Sequence, residues 1–281
     1  MVRRHLKSLL LGIVFCVPIA SWAGVDVWTD TPVAPGVTWR EQDFSSLYGG
    51  KQSVNVLVVE LDNPRIEVRP VAKGSTCQTT SRISELSGAI AAVNGGFFSG
   101  PCEPVSMLKM NGRVRAVNAS WRPARSTLGI DQDTRDVFIE RIRHDNSWPL
   151  VDDALGGGPN LVSAGFVDVT DSEEEFTASF ASKNPRTAVG FTSENELIMV
   201  TVDGRSEQSL GMTLDELADF MIDLGCVEAM NLDGGGSTTM WIDNEGVVNA
   251  PSDGSERDVA SALGIYVLPE AAFDNIIVDN D

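Results

Sequence analysis

The 281 residues carry 21 Lys+Arg against 40 Asp+Glu, a formal charge of −19, and 42% of them are hydrophobic. A field that negative excludes partners held mainly by clustered basic residues, such as nucleic acid or anionic lipid. Any anionic substrate must then be gripped by a few locally placed arginines, inside a chain long enough for one large domain or two small ones with a buried core.

At the N-terminus Arg3, Arg4 and Lys7 precede an apolar run from Leu9 to Ala20 and then Ser21-Trp22-Ala23. That order is the pattern of a secretory signal peptide over residues 1–23, and the run is shorter than the roughly 20 residues a bilayer span needs. Its removal takes three basic groups with it, leaving 18 against 40, a net charge of −22. The expectation is an exported chain, periplasmic or secreted, with no stable membrane insertion after cleavage and an oligomeric state that the residues do not specify. Residues 24–52 are read as an N-terminal segment, 53–268 as the domain, and 269–281, with Asp274, Asp279 and Asp281, as an acidic tail. Three cysteines survive processing, Cys77, Cys102 and Cys226, and an odd count in an oxidising compartment suggests one disulfide and one spare thiol. Cys77 and Cys102 bracket one unit and are paired. Cys226 opens an apolar strand and is expected buried as a small hydrophobe. With no Cys-x-x-Cys and His144 the only histidine after residue 23, a metal cluster is disfavoured.

Apolar alternation rich in β-branched residues predicts strands at Ser53–Leu61, Arg65–Val71, Arg135–Ile142, Glu196–Val202 and Ala260–Leu268. Asn111-Gly112 predicts a two-residue hairpin. A helix is expected from about Thr80 to Leu86. A clearer one starts at Thr213, where Glu216 completes a capping box, Leu214, Leu217, Met221 and Leu224 share a face, and Gly225 closes the end. This balance predicts an α+β fold of mostly antiparallel sheets, each packed on a helix. The order helix, apolar strand, polar residue, glycines occurs twice, ending at Asn94-Gly95-Gly96 and at Asp233-Gly234-Gly235-Gly236. It predicts two pseudo-equivalent halves in one domain.

Four glycine-marked segments are candidates for chemistry. Asn94-Gly95-Gly96-Phe97-Phe98 leaves a polar residue at a strand end, although a tight turn explains it equally well. Gly156-Gly157-Gly158-Pro159-Asn160 would bring backbone N–H groups near a ligand, or form a flexible loop. Asn184-Pro185-Arg186 starts a strand with a guanidinium whose planar fork suits phosphate. Asn231-Leu232-Asp233-Gly234-Gly235-Gly236-Ser237 is the most specific, because a carboxylate at a buried strand end is costly unless used. It is neither a Walker loop nor a Rossmann fingerprint. Asp203-Gly204-Arg205 and Arg257 add charged groups at strand ends.

Taken in order, NGGFF at 94–98, GGGPNLV at 156–162, NPRTAVGFT at 184–192, VDGR at 202–205, GMTLDELADF at 211–220 and NLDGGGSTTMW at 231–241 resemble the motifs of the phosphodiester glycosidase domain. The resemblance covers roughly 53–268. It implies antiparallel sheets wrapped on helices in two related halves, and hydrolysis of a sugar-1-phosphodiester, the carbohydrate substrate expected here, with no required cofactor. A glycosidase ordinarily uses two carboxyl groups, one to protonate a poor leaving group. A phosphate ester leaves as a stable anion, so arginines can replace that acid.

On that implied chemistry Asp233 is base or nucleophile and Arg186 and Arg205 bind phosphate, with Arg257 and the Gly234 and Gly235 backbone beside them. Asn94 and Asn160 hold sugar hydroxyls, and Ser237 orients Asp233 or water. Asp203 is a second carboxylate or a ligand for calcium. Two rivals remain. One is a non-catalytic carbohydrate-binding protein using Trp121, Trp148 and Trp241. The other is a metal-dependent phosphodiesterase using Asp203 and Asp233 as cation ligands.

Overall fold

A computed structural model describes residues 27–74 and 76–269. The expected signal peptide and nearly all of the acidic tail lie outside the described residues.

Every strand pairing is antiparallel. The largest sheet has eight strands in the order Thr29–Ala34, Val37–Leu47, Gly50–Glu60, Glu196–Val202, Arg186–Thr192, Cys226–Asn231, Asn160–Ser163 and Phe166–Val167. A second runs Val137–Ile142, Arg125–Ile130, Asp153–Gly156, Leu108–Met110, Arg113–Ala116. A third runs Gly246–Val247, Met240–Ile242, Ala91–Asn94, Ala262–Val267, Ile66–Val71.

Period-2 geometry decides which residue meets which neighbour. In the central strands of the large sheet, Leu57, Val59, Leu197 and Met199 face a core shared with Leu128 and Leu155 of the second sheet and Val93 and Leu263 of the third. The alternate residues Val54, Val56, Ile198 and Val200 turn to the other face and meet Leu214, Leu217 and Met221. Those three belong to the helix Leu214–Asp223, which has the expected capping box between Thr213 and Glu216, and Gly225 takes φ 91° just after its end. Strands buried on both faces need near-continuous apolar runs, and Val54–Val59 and Leu197–Val202 are such runs, broken only by Asn55 and Thr201.

The helix Thr80–Ser87, capped by Thr79 and ended by Gly88 at φ 80°, lies against the third sheet, with Ile83 packed on Val259 and Ala262. The outer face of the second sheet is covered by a loop instead: Trp148 and Val151 pack on Met107, Ile142 and Ala154. The expectation of a helix on every sheet is therefore not met there. The fold is mostly antiparallel sheet with few helices. The two repeated helix–strand units both form, one on the third sheet and one in the large sheet. Residues 29–52, read from sequence as a segment ahead of the domain, are its sheet edge: Val37–Leu47 pairs with Gly50–Glu60 along nearly its whole length. That edge is polar, so it lacks the alternation that marks an inner strand. Asn111 (φ 50°) and Gly112 (φ 72°) form the expected hairpin turn between Met110 and Arg113, and Cys77 bonds Cys102 while Cys226 is a buried thiol.

Candidate active site

The strand Cys226–Asn231 lies between the Arg186 and Asn160 strands, so its end opens at the middle of the large sheet. Beyond it the chain is held from two sides. The Leu232 N–H donates to the Thr187 carbonyl, the Asp233 N–H donates to the Gly95 carbonyl, and the Asn94 amide donates to the Asp233 carbonyl at 2.7 Å. The Gly235 N–H then donates to the Pro185 carbonyl, and the backbone turns tightly through Gly235–Ser237. With its backbone fixed, Asp233 presents a carboxylate that accepts from the Gly234 N–H at 2.9 Å and opens into a cavity floor. Burial pushes its pKa up to about 6; Ser237, the Gly234 N–H and the Arg257 charge pull against that shift without cancelling it. The Ser237 hydroxyl is fully buried beside this carboxylate and makes no well-formed hydrogen bond of its own.

Two cavities meet at Asp233. The first, about 320 Å³, is lined by Arg186, Arg205, Arg257 and the backbone of Gly234–Gly236. Arg186 is 1% exposed, and its Nε and Nη2 donate to the carbonyls of Met212, Phe180 and Ser182. Three fixed carbonyls thus hold the guanidinium in place. Burial, with the like charge of Arg205 second, lowers its pKa to about 10, still a cation at neutral pH. Arg205 donates to Asn184 and lies over the glycine turn, 3.0 Å from where a Cβ on Gly235 would stand. Arg257 reaches the same turn and is paired to Asp253 through Nε and Nη2. Glycines are needed here because side chains would displace the guanidinium groups; a Cβ on Gly236 would stand 2.1 Å from Arg257.

The second cavity, about 410 Å³, has a wall of Phe97, Phe176 and Phe180, with ring centroids 4.6 to 5.7 Å apart, and takes in Arg122 and Arg125. Thr177, Phe180 and Asp233 line both cavities. A carboxylate thus stands at the junction of a basic lobe and an apolar one.

The structure brings together Asp233, Arg186, Arg205, Arg257, Gly234, Gly235 and Ser237, and leaves the side chains of three other sequence candidates out of the cleft. Asn94 is wholly buried: its carbonyl oxygen accepts from Thr187 Oγ1 and the Thr239 N–H while its amide serves Gly95 and Asp233, so nothing of it is left for a sugar. It is a positioning residue for the Asp233 turn. Asn160 points its amide at Val162 and Asp168 and borders a different cavity. Asp203 accepts from Asn249 and the Ala250 N–H and lines neither lobe. It thereby fastens the 249–250 turn. That removes it as second carboxylate of this cleft, and among the described residues no three Asp, Glu, His or Cys side chains converge as a cation site. The N–H groups of Gly156–Gly158 are spent on the carbonyls of Met107, Ser126 and Asn231. Trp148 and Trp241 are each 4% exposed core residues, whereas Trp121 is exposed.

Sequence reasoning missed Arg125, Arg122, Phe176 and Phe180. One signal was present for the first: Arg125-Ser126-Thr127-Leu128-Gly129-Ile130 repeats the pattern of Arg186-Thr187-Ala188-Val189-Gly190-Phe191, an arginine opening a strand. Phe176 sits in irregular backbone and Phe180 in the four-residue helix Ala178–Ala181, too short to carry a readable periodicity.

Residues 87–266 match the profile of a family described as phosphodiester glycosidase. The mouse N-acetylglucosamine-1-phosphodiester alpha-N-acetylglucosaminidase is 30% identical over 250 residues, which is 80% of this chain and 47% of that protein. An uncharacterised prophage-derived protein of Bacillus subtilis is 41% identical over 83 residues, 30% of this chain and 13% of that one. The chain spans less than half the length of either relative. Among solved structures, the zebrafish N-acetylglucosamine-1-phosphodiester alpha-N-acetylglucosaminidase catalytic domain, auto-inhibited by its pro-peptide, superposes with a TM-score of 0.70 at 21% identity, covering 89% of this chain and 91% of that one. This likeness shows a common fold.

Proposed function

The chain belongs to the phosphodiester glycosidase family, and on that premise we propose that it is an exported hydrolase that cuts the bond between a sugar's anomeric carbon and a phosphodiester oxygen, on a surface or extracellular glycan. The observation that carries the reading is the position of Asp233, at the junction of a lobe lined by three arginines and a lobe walled by three phenylalanines. The phosphodiester fits the first, where guanidinium forks and backbone N–H groups can meet its oxygens. The sugar ring fits the second, its apolar face against phenylalanine. The anomeric carbon then lies next to Asp233.

Above its raised pKa the Asp233 carboxylate takes a proton from water as the water oxygen bonds to the anomeric carbon, or attacks that carbon itself before water replaces it. In either case the carbon–oxygen bond breaks with its electron pair going to the phosphate oxygen. That charge develops beside Arg186, Arg205 and Arg257, which are in place beforehand and need no reorganisation. Among the described residues no second carboxyl lines the basic lobe, which agrees with a leaving group that needs no protonation. Export accords with the Cys77–Cys102 disulfide and with the signal-like residues 1–23.

A product assay on α- and β-linked sugar-1-phosphodiesters in ¹⁸O-labelled water tests this. Free sugar carrying the label, with loss of turnover in Asp233→Asn and Arg205→Ala, is the expected result. Label in the phosphate would mean P–O cleavage and overturn it.

A further inference from the structure

The second lobe contains a buried cation whose partners are incomplete. Arg125 is 7% exposed and its guanidinium lies 4.2 Å over the Phe176 ring. The nearest carboxylate, Glu174, approaches its Nη1 only to 3.9 Å, and Nη1 has no hydrogen-bond partner although it is buried. Glu174 is held off by other donors: its Oε1 accepts from the Ser126 hydroxyl, the Asn160 N–H and the Thr170 hydroxyl, and its Oε2 from the Ser126 N–H. A guanidinium donor that is desolvated and unpaired is costly, which is unusual unless a ligand completes it. Arg122 borders the same lobe, its guanidinium stacked on the exposed Trp121 at 4.3 Å. Among the described residues, the acidic groups lining the lobe are Asp233 and the exposed Glu175.

Resting on the reading that the phosphodiester occupies the basic lobe, we propose that the phenylalanine-walled lobe is an anion-recognising sugar subsite, in which Arg125 and Arg122 select a sugar bearing an acidic substituent, a ring carboxylate or a phosphate ester. The ligand class is then a glycosyl phosphate with negative charge on both sides of the anomeric carbon. The lobe's chemistry fits both demands: aromatic faces for the ring's C–H surface, and two guanidinium groups, Arg122 and Arg125, on its lining for what the ring carries. Burial lowers the Arg125 pKa; the Glu174 charge opposes that shift without cancelling it, the like charge of Arg122 adds to it, and a bound anion would act against it.

Calorimetric binding of glucose 1-phosphate, glucuronic acid 1-phosphate and glucose 1,6-bisphosphate to the full-length protein tests the subsite without any need for turnover. One or both acidic ligands should bind at least tenfold more tightly than glucose 1-phosphate, and which one gains tells carboxylate from phosphate. Arg122→Ala should shrink that gap to threefold or less while leaving the Kd of glucose 1-phosphate within twofold. Arg125→Gln should do the same if it folds, and the exposed Arg122 keeps the test decisive if it does not. Equal affinity for all three ligands, no binding of any, or a gap that survives Arg122→Ala would overturn the subsite. Absence of sugar release from any phosphodiester would instead overturn the proposed reaction and leave these binding outcomes standing.

Discussion

Two turns in this molecule share one sequence grammar, an apolar strand, a polar residue and a run of glycines, and put it to opposite uses. At Asn94-Gly95-Gly96 the polar side chain points inward and all its hydrogen-bonding capacity is consumed by Thr187, Thr239, Gly95 and Asp233. At Asp233-Gly234-Gly235-Gly236 the side chain faces two cavities. The inward turn grips the backbone of the outward one. A buried amide that joins segments 93 and 139 residues away makes the frame, and the carboxylate it supports is free to act. The lesson is a division of labour between an amide that can be satisfied on all sides and a carboxylate that is only partly desolvated.

The widest separation between the two turns should be in turnover. Asp233→Asn removes the group proposed to act on the anomeric carbon, and a loss of about 10²- to 10⁴-fold in kcat is expected for a missing general base. The fold should persist, because Asn94 holds the backbone carbonyl of residue 233 and not its side chain. A variant that is folded and keeps more than a tenth of wild-type kcat would abolish the distinction between the two turns.

Asn94→Ala should act first on stability. It strands the Thr187 hydroxyl and the Thr239 N–H in a fully buried place, a cost of about 2–4 kcal/mol in urea unfolding. Because the Asp233 turn loses its grip, kcat should fall as well in the fraction that remains folded. Asn160→Ala is the control: it too is buried and bonded to carbonyls, but it borders another cavity, so stability should drop while kcat/KM holds. If Asn94→Ala costs stability alone, the positioning role is wrong.

The same two turns mark what could be read in the residues. The capping box at Thr213 and Glu216, the Asn111-Gly112 hairpin and the strand Glu196–Val202 were legible because each is decided by neighbours in sequence. The direction of a side chain at a strand end is decided by whichever distant strand lies across from it, so Asn94, Asn160 and Asp203 read the same as Asp233. Arg186 was legible as the start of a strand but not as a group clasped by the carbonyls of Met212, Phe180 and Ser182. The aromatic lobe was invisible, since Phe97, Phe176 and Phe180 come together only through tertiary packing.

Ionisation should distinguish the outward turn in a second way. Asp233 has a pKa of about 6 when folded, above the ordinary value of 3.8. Between those values the native state binds the extra proton, so this group's contribution to stability is present below about pH 4 and lost as pH rises through about 6. Two pKa units correspond to at most about 3 kcal/mol. Asp233→Asn should therefore match wild type near pH 4 and be more stable at pH 8, while wild-type kcat/KM falls below about pH 6 as the carboxyl protonates. A variant less stable than wild type at pH 8 would show that the ionised carboxylate is better solvated than its burial implies.

The smallest effect should come from the glycines themselves. A Cβ on Gly95 would stand 2.8 Å from the Ser261 carbonyl oxygen and 2.9 Å from its carbon, backbone atoms that cannot step aside, so Gly95→Ala should cost about 1–3 kcal/mol of stability. A Cβ on Gly236 would meet Arg257 at 2.1 Å and Asp253 at 2.2 Å, but these are the ends of exposed, flexible side chains. They can move, and what moves with them is one of the three guanidinium groups of the basic lobe. Gly236→Ala should thus leave the unfolding midpoint nearly unchanged and raise KM for a phosphodiester a few-fold, about 1 kcal/mol of binding. Phosphate should inhibit the variant more weakly than wild type by a similar factor. An unchanged KM would remove Arg257 from the phosphate lobe and leave Arg186 and Arg205 to hold the anion.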